Sequence, residues 1–432
     1  MFQSFEVTSR PEQGPPRLAA LRNEIKAEGL DGFLVPRADV HQGEYVAPHD
    51  ERLQWLTGFT GSAGFCAALV GAAGVFIDGR YRTQVKTQIA DVYTPVAWPE
   101  VSLAEWLREQ LPQGGIVGFD PWLHAAAQIE QLNGALEGSD IEMRRCDNLV
   151  DRIWKDQPAP PVQIAKVHPI EFAGESHADK AARLGKSLRD CGAAAAVITL
   201  PDSLCWLLNI RGADIARNPV MHGFVVLHGS GNVDLFADPA KVGQLKPHLG
   251  STVTLHAPEA LLDYVQTLAG PVRLDKATVP VAIADVIANR VTWGDDPCAL
   301  PKACKNAAEV AGSAAAHLRD GAALVELLAW LDQQPTGTVT ETQVVSRLED
   351  FRRRDNALQD ISFETIAGTG PNGAIMHYRV TKDTDSVLED GQLLVLDSGG
   401  QYLDGTTDIT RTIAIGSALP EAKQAFTRVL LG

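Results

Sequence analysis

One short phrase occurs twice in the chain, and it restricts the fold more than any other feature. Glu51-Arg52-Leu53-Gln54-Trp55-Leu56-Thr57-Gly58-Phe59-Thr60-Gly61 returns as Asp202-Ser203-Leu204-Cys205-Trp206-Leu207-Leu208-Asn209-Ile210-Arg211-Gly212. The surroundings return with it. Ahead of the first copy, Leu18, Leu21, Ile25 and Leu30 recur at helical spacing, Gly29 is placed as a C-cap, and Gly32-Phe33-Leu34-Val35 is an apolar run stopped by Pro36. Ahead of the second, Leu184 and Leu188 lead a helix to Cys191-Gly192, and 193–200 reads as a strand stopped by Pro201. Apolar strand residues follow each copy, at 65–70 and 223–227. A helix–strand–Trp-Leu–strand unit used twice predicts duplicated α/β domains; two copies are too few for a solenoid.

Asp156-Gln157-Pro158-Ala159-Pro160-Pro161 reads as a linker, and a second boundary falls between Asp295-Asp296-Pro297 and Pro301-Lys302. The predicted segments are 1–160, 161–301 and 302–432, about the number that a length of 432 implies at roughly 150 residues per domain. The last segment changes character. An Ala-rich helix over 307–318 continues into a stripe of Leu324, Leu327, Leu328 and Leu331. A helix begins at Thr340-Glu341 and runs through Leu348 and Phe351, strands and turns follow Gln359, and an amphipathic helix starts near Pro420.

Charge and composition narrow the function. Lys and Arg number 38 against 54 Asp and Glu, a net charge of −16 that disfavours nucleic acid as a partner. The longest basic run, Arg352-Arg353-Arg354, sits among acids. No apolar run approaches the ~18 residues a membrane span needs, so no membrane partner is expected. The opening residues Met1-Phe2-Gln3-Ser4-Phe5-Glu6 have neither the basic nor the apolar region of a secretory signal. Cys66, Cys146, Cys191, Cys205, Cys298 and Cys304 are widely spread with no C-x-x-C, which reads as free thiols in a reducing compartment, the cytoplasm.

The chemistry concentrates near the end. Leu393-Leu394-Val395-Leu396 runs straight into Asp397, a Gly-rich turn follows, and a β-branched strand carries Asp408. Two antiparallel strands joined by this turn would set the carboxylates side by side, facing one pocket. A carboxylate closing an apolar strand is costly unless paired or metal-bound. With no Lys nearby and only Arg411 at hand, the pair suits hard divalent cations. The plainer alternative is a turn aspartate plus a strand-end cap, and the pair alone leaves both open. His377 follows the turn-rich Gly373-Ala374-Ile375-Met376. A single His is commonly a surface or satisfied core residue; upstream of two aspartates it is a candidate substrate-side donor or proton shuttle. Gly368-Thr369-Gly370-Pro371-Asn372-Gly373 matches G-x-G-x-x-G but lacks the strand–helix setting and ribose-binding acid of a dinucleotide site, so it reads as a turn. Asp78-Gly79-Arg80-Tyr81 reads as a strand-end turn.

Taken together, these phrases resemble the cytosolic Xaa-Pro aminopeptidases of the creatinase/prolidase/methionine-aminopeptidase "pita-bread" superfamily. The resemblance rests on Trp55 to Gly64, Asp78 to Tyr81, Asp202 to Gly212 with Asn218-Pro219-Val220, Gly370 to Ala374 with His377-Tyr378, and Asp397-Ser398-Gly399 through Gly405 to Thr412. It implies an α/β chain: two creatinase-like N-terminal α/β domains followed by the first part of an α+β pita-bread catalytic domain. It implies two divalent metal ions, typically manganese, with Asp397 matching a chelating ligand, Asp408 the bridging ligand and His377 the active-site histidine. The implied reaction is metal-activated hydroxide attack on the bond between a free N-terminal residue and proline. Peptides with N-terminal Xaa-Pro are the implied substrates, and a homodimer is the implied assembly.

The family uses two Asp, one His and two Glu as ligands. Here no His follows Asp408, and the only later Glu is Glu421. This polypeptide is therefore expected to hold an incomplete metal site, to expose apolar surface and open sheet edges, and to be inactive as it stands. Two other readings compete. One is a non-catalytic creatinase-fold module that binds peptides or proteins; the other is a prolidase, which generally carries one N-terminal domain where this chain has two.

Overall fold

The computed structural model describes residues 1–432 as two compact units, Ser9–Lys305 and Met1–Thr8 together with Asn306–Gly432. The sequence reading began its first segment at residue 1, but the chain start folds with the last segment. There the Phe2 backbone N–H donates to Glu349 (2.8 Å), and Gln3 exchanges hydrogen bonds with the Thr365 backbone (3.2 and 2.7 Å). Nothing in the apolar spacing of residues 1–8 announces such a long-range contact.

The larger unit contains the predicted duplication. One six-stranded sheet is built from β1 (Gly32–Pro36), β2 (Phe65–Leu69), β3 (Ala73–Ile77), β4 (Thr94–Ala97), β5 (Gly115–Phe119) and β6 (Ile141–Arg145). The other uses β7 (Ala195–Ile198), β8 (Phe224–His228), β9 (Val233–Phe236), β10 (Val253–His256), β11 (Val272–Leu274) and β12 (Val291–Trp293). Their orders are β4-β3-β2-β1-β5-β6 and β10-β9-β8-β7-β11-β12, a strand-for-strand repeat. The pairing senses repeat as well: β1 and β7 each run antiparallel to the next strand and parallel to the strand on their other side.

The shared phrase has a shared job. Helix α2 (Arg52–Thr57) ends at Gly58 with φ 89°, and its counterpart α4 (Pro201–Leu208) ends at Asn209 with φ 49°. A left-handed C-cap suits Gly and, after it, Asn, so both copies stop their helix at the same point of the phrase. The helices that precede the first strands, α1 (Gly14–Ala27) and α3 (His177–Asp190), each send a cation from the fourth position onto the Trp of that phrase. The Arg17 guanidinium lies 4.3 Å from the Trp55 ring and donates to the Trp55 carbonyl (2.5 Å). The Lys180 ammonium lies 4.1 Å from the Trp206 ring and donates to the Trp206 carbonyl (2.9 Å) and to Asn209 Oδ1 (2.8 Å). Each cation meets carbonyls at the C-terminal end of a helix, where positive charge is favoured, and gains ring contact as well.

The two halves of this unit meet through polar contacts. Arg145 pairs with Asp285 (2.5 Å), Ala125 bridges to Pro280, and the His41 ring nitrogen Nδ1 lies 2.9 Å from the Thr199 carbonyl. Burial holds the His41 ring down to about 4, assisted by neighbouring His222 and opposed by Asp39 and Asp50. Its folded value is therefore below the unfolded one, so the folded state binds fewer protons between about pH 4 and 6.5 and loses stability as pH falls through that window. The urea midpoint of unfolding should fall across this interval, and His41→Asn, which keeps a donor for Thr199, should make the fall shallower. An unchanged slope would contradict the assignment.

The smaller unit packs α5 (Ala307–Leu331) and α6 (Glu341–Arg352) on one face of a three-stranded sheet, β13 (Ile366–Thr369), β14 (Leu393–Ser398) and β15 (Ile409–Ala414). Leu324 and Leu327 of α5, Val344 and Leu348 of α6 and Leu394 and Leu396 of β14 form its core. Helix α7 (Pro420–Leu431) buries no residue, and Val429 and Leu431 are 81% and 82% exposed.

Candidate active site

Strand β14 is central, paired antiparallel to β13 and β15, with Asp397 opposite Ile366 on one side and Thr410 on the other. Its side chains alternate. Leu394, Leu396 and Ser398 are buried toward the helices, whereas Leu393, Val395 and Asp397 are half-buried on the opposite face. The sequence reading treated the strand as wholly apolar; period-two alternation instead carries Asp397 out of the core. Asp397 Oδ1 accepts a hydrogen bond from the Thr410 hydroxyl (2.8 Å). Asp408 lies just ahead of β15 and is exposed, two residues before Thr410, so both fall on one side of the strand.

The Asp397 carboxyl is pushed above the ordinary carboxylate range, first by burial and then by the negative charge of Asp408, while Thr410 and His377 pull it down. The groups that act most strongly on it include no Lys or Arg. Asp408 and His377 thus both act on the Asp397 carboxyl. His377 is half-buried in the turn after a short helical stretch, Gly370–Ala374. It does not complete a metal shell with the two aspartates: no group of three or more His, Cys, Asp or Glu side chains able to hold a metal ion is present. The pair suits one side of a cation site, since two carboxylates without a cationic neighbour favour a hard divalent ion over each other.

A buried clamp fixes the turn between β14 and β15. Arg352, at the end of α6, makes a bidentate pair with Asp320 of α5 (2.7 and 2.9 Å) and donates to Ser398 Oγ (3.1 Å), next to Asp397. The Tyr402 hydroxyl donates to the same Asp320 carboxylate (2.7 Å), and Arg319 holds Asp404 in a second bidentate pair (3.1 and 2.9 Å). At Gly399 a Cβ would lie 1.9 Å from the Thr407 carbonyl, so only glycine lets the turn close.

Residues 17–153 and 156–309 each match the Creatinase/Prolidase N-terminal domain, and residues 303–432 match metallopeptidase family M24. The probable Xaa-Pro aminopeptidase P of Coccidioides posadasii is 36% identical over 99% of this chain and 69% of its own length. That of Aspergillus niger is 35% identical over 96% of this chain and 71% of its own. The chain belongs to the Xaa-Pro aminopeptidase P family. An X-prolyl aminopeptidase from Caenorhabditis elegans, described as a cytosolic enzyme with a di-nuclear active site, superposes with a TM-score of 0.89 at 28% identity. That superposition covers 94% of this chain and 71% of the other. The paired creatinase-type matches agree with the repeated sheets, and the α/β architecture of two such domains before an M24 pita-bread domain is the family's. The reading as a non-catalytic binding module is not favoured.

Sequence reasoning missed the groups that support the site. In the sequence Arg352 shows only as part of a basic run; in the fold it is 3% exposed and serves Asp320. Glu341 was read as a helix start, yet it is fully buried. The available signal was helical phase: Val345, Leu348 and Arg352 fall on one face of α6, so Arg352 shares the apolar stripe. Arg352→Ala should destabilise this unit by about 3–5 kcal/mol, because it leaves the Asp320 carboxylate buried beside a single hydroxyl. Urea unfolding checks this, and a loss below about 1 kcal/mol would contradict the clamp.

Proposed function

We propose that the protein removes the N-terminal residue from peptides with proline in the second position. The observation that supports this most is the meeting of Asp397 with Asp408 on one sheet face, without a cationic partner and with His377 alongside, in a chain of this family. Asp397 and Asp408 would hold divalent metal, and manganese is the metal we expect. The ions, when bound, supply Lewis-acid activation of water and of the scissile carbonyl.

The chain's own residues do the rest. Thr410 donates to Asp397 Oδ1 and so orients that carboxylate, leaving Oδ2 free of this bond. His377, on the substrate side, holds or moves a proton at its ring nitrogen. We place the domain divisions at 160 and 301, with residues 1–8 joined to the last segment. Peptides with N-terminal Xaa-Pro would be the substrates, a homodimer the assembly and the cytoplasm the compartment. No helix is long and apolar enough to cross a membrane.

The test is Xaa-Pro cleavage by the full-length protein with added Mn²⁺. Asp408→Ala should lower kcat/KM by at least about 10³-fold, and His377→Ala by about 10²–10⁴-fold. Full-length protein that leaves Xaa-Pro peptides uncut with all three side chains intact would overturn the reading. Residues 1–432 as a separate polypeptide, with two carboxylates and no third ligand, should bind Mn²⁺ weakly and cleave nothing. Stoichiometric, tight binding in a calorimetric titration would contradict that.

A further inference from the structure

Glu341 opens α6 and is buried with none of its surface exposed. Its carboxylate accepts hydrogen bonds from the backbone N–H of Thr369 (2.7 Å), the backbone N–H of Ser386 (3.2 Å), the Asn372 amide on both oxygens (3.1 Å each) and the Tyr378 hydroxyl (2.9 Å). All of these donors lie between residues 369 and 386, the stretch that carries His377. The groups that act most strongly on the carboxyl are these neutral donors, with no Lys or Arg among them. A buried carboxylate without a cation is costly, and it persists here because neutral donors converge on it.

The loop it grips is tight. A Cβ at Gly368 would sit 2.8 Å from the Asn372 backbone, and one at Gly373 would sit 2.9 Å from the Gly368 carbonyl. The Gly368-Thr369-Gly370-Pro371-Asn372-Gly373 turn therefore folds back on β13 and delivers the Asn372 amide to Glu341. Tyr378, the neighbour of His377, is tied to the same carboxylate and to Thr384 (2.9 Å). The loop is thus held at Thr369, at Asn372 and immediately after His377.

We propose that Glu341 is a positioning residue: through Asn372 and Tyr378 it holds the loop so that His377 faces Asp397 and Asp408. The proposal rests on the role given to His377 above. The requirement is for an acceptor-only group. Glutamine is isosteric but turns two N–H donors toward a ring of donors, so it pushes the loop away. Aspartate keeps the acceptors and the charge but reaches less far. Misplacing a catalytic group by about 1 Å can cost about 10²-fold in rate.

The experiment uses the full-length enzyme with Mn²⁺ and an Xaa-Pro peptide, comparing Glu341→Gln, Glu341→Asp, Tyr378→Phe, His377→Ala and the double variant Glu341→Gln/His377→Ala. Glu341→Gln should lower kcat by about 10²-fold with KM changed less than about threefold and bound metal unchanged, and Glu341→Asp should recover part of the loss. The double variant should be no slower than His377→Ala, since two groups that act as one unit are not additive. Losses that multiply in the double variant would overturn the role of Glu341 while leaving His377 in place. A fully active His377→Ala would overturn the role of His377 and this proposal with it. Should Glu341→Gln fail to fold, Tyr378→Phe combined with His377→Ala decides by the same comparison.

Discussion

Strand Leu393–Ser398 is hydrogen-bonded along both edges, and its register assigns each of its own side chains, Asp397 among them, to a face. Leu394 and Leu396 point into the core with Leu324, Leu327, Val344 and Leu348. A slip of one residue would bury Asp397 among those leucines and bring Val395 and Leu393 with it. The apolar face thus pins the polar one: the same packing that stabilises the sheet presents Asp397 beside Thr410 and Asp408. Arg352, Asp320 and Tyr402 then fix the turn beyond the strand from behind, and Glu341 fixes the loop that carries His377. Buried charges brace each side of the site, one as an ion pair and one as a carboxylate among neutral donors.

The larger unit applies one construction twice. Its two sheets share strand order and pairing sense, and in each an N-terminal helix sends a cation over the Trp that precedes a left-handed C-cap. The copies have drifted where the physics permits. Gly58 became Asn209, the residue next best suited to that backbone, and Arg17 corresponds to Lys180, which is fully buried and also reaches Asn209. The repeated phrase therefore reports a repeated helix ending, and this is why it is visible where the rest of the two halves differs.

What could be read in the sequence follows from the range of the forces involved. Helix α6 was visible because its apolar residues repeat locally, and the turn at Gly399 because glycine marks tight closure. Asp397 and Asp408 could be paired in advance since a single hairpin joins them. Two things could not be read. A charge on a helix, such as Arg352 or Glu341, is by default a solvated group, and only the partners brought from Asp320 and from 369–386 make it an internal one. The docking of Phe2 and Gln3 onto Glu349 and Thr365 likewise joins chain segments far apart, with no local pattern to announce it.

The central claim is that Asp397 and Asp408 share a divalent cation site on the open face of β14. Anomalous scattering from crystals of the full-length protein grown with Mn²⁺ tests it most directly. The account predicts two manganese peaks beside the Asp397 and Asp408 carboxylates. Peaks only elsewhere on the molecule, or none at saturating Mn²⁺ with both carboxylates ordered, would contradict it.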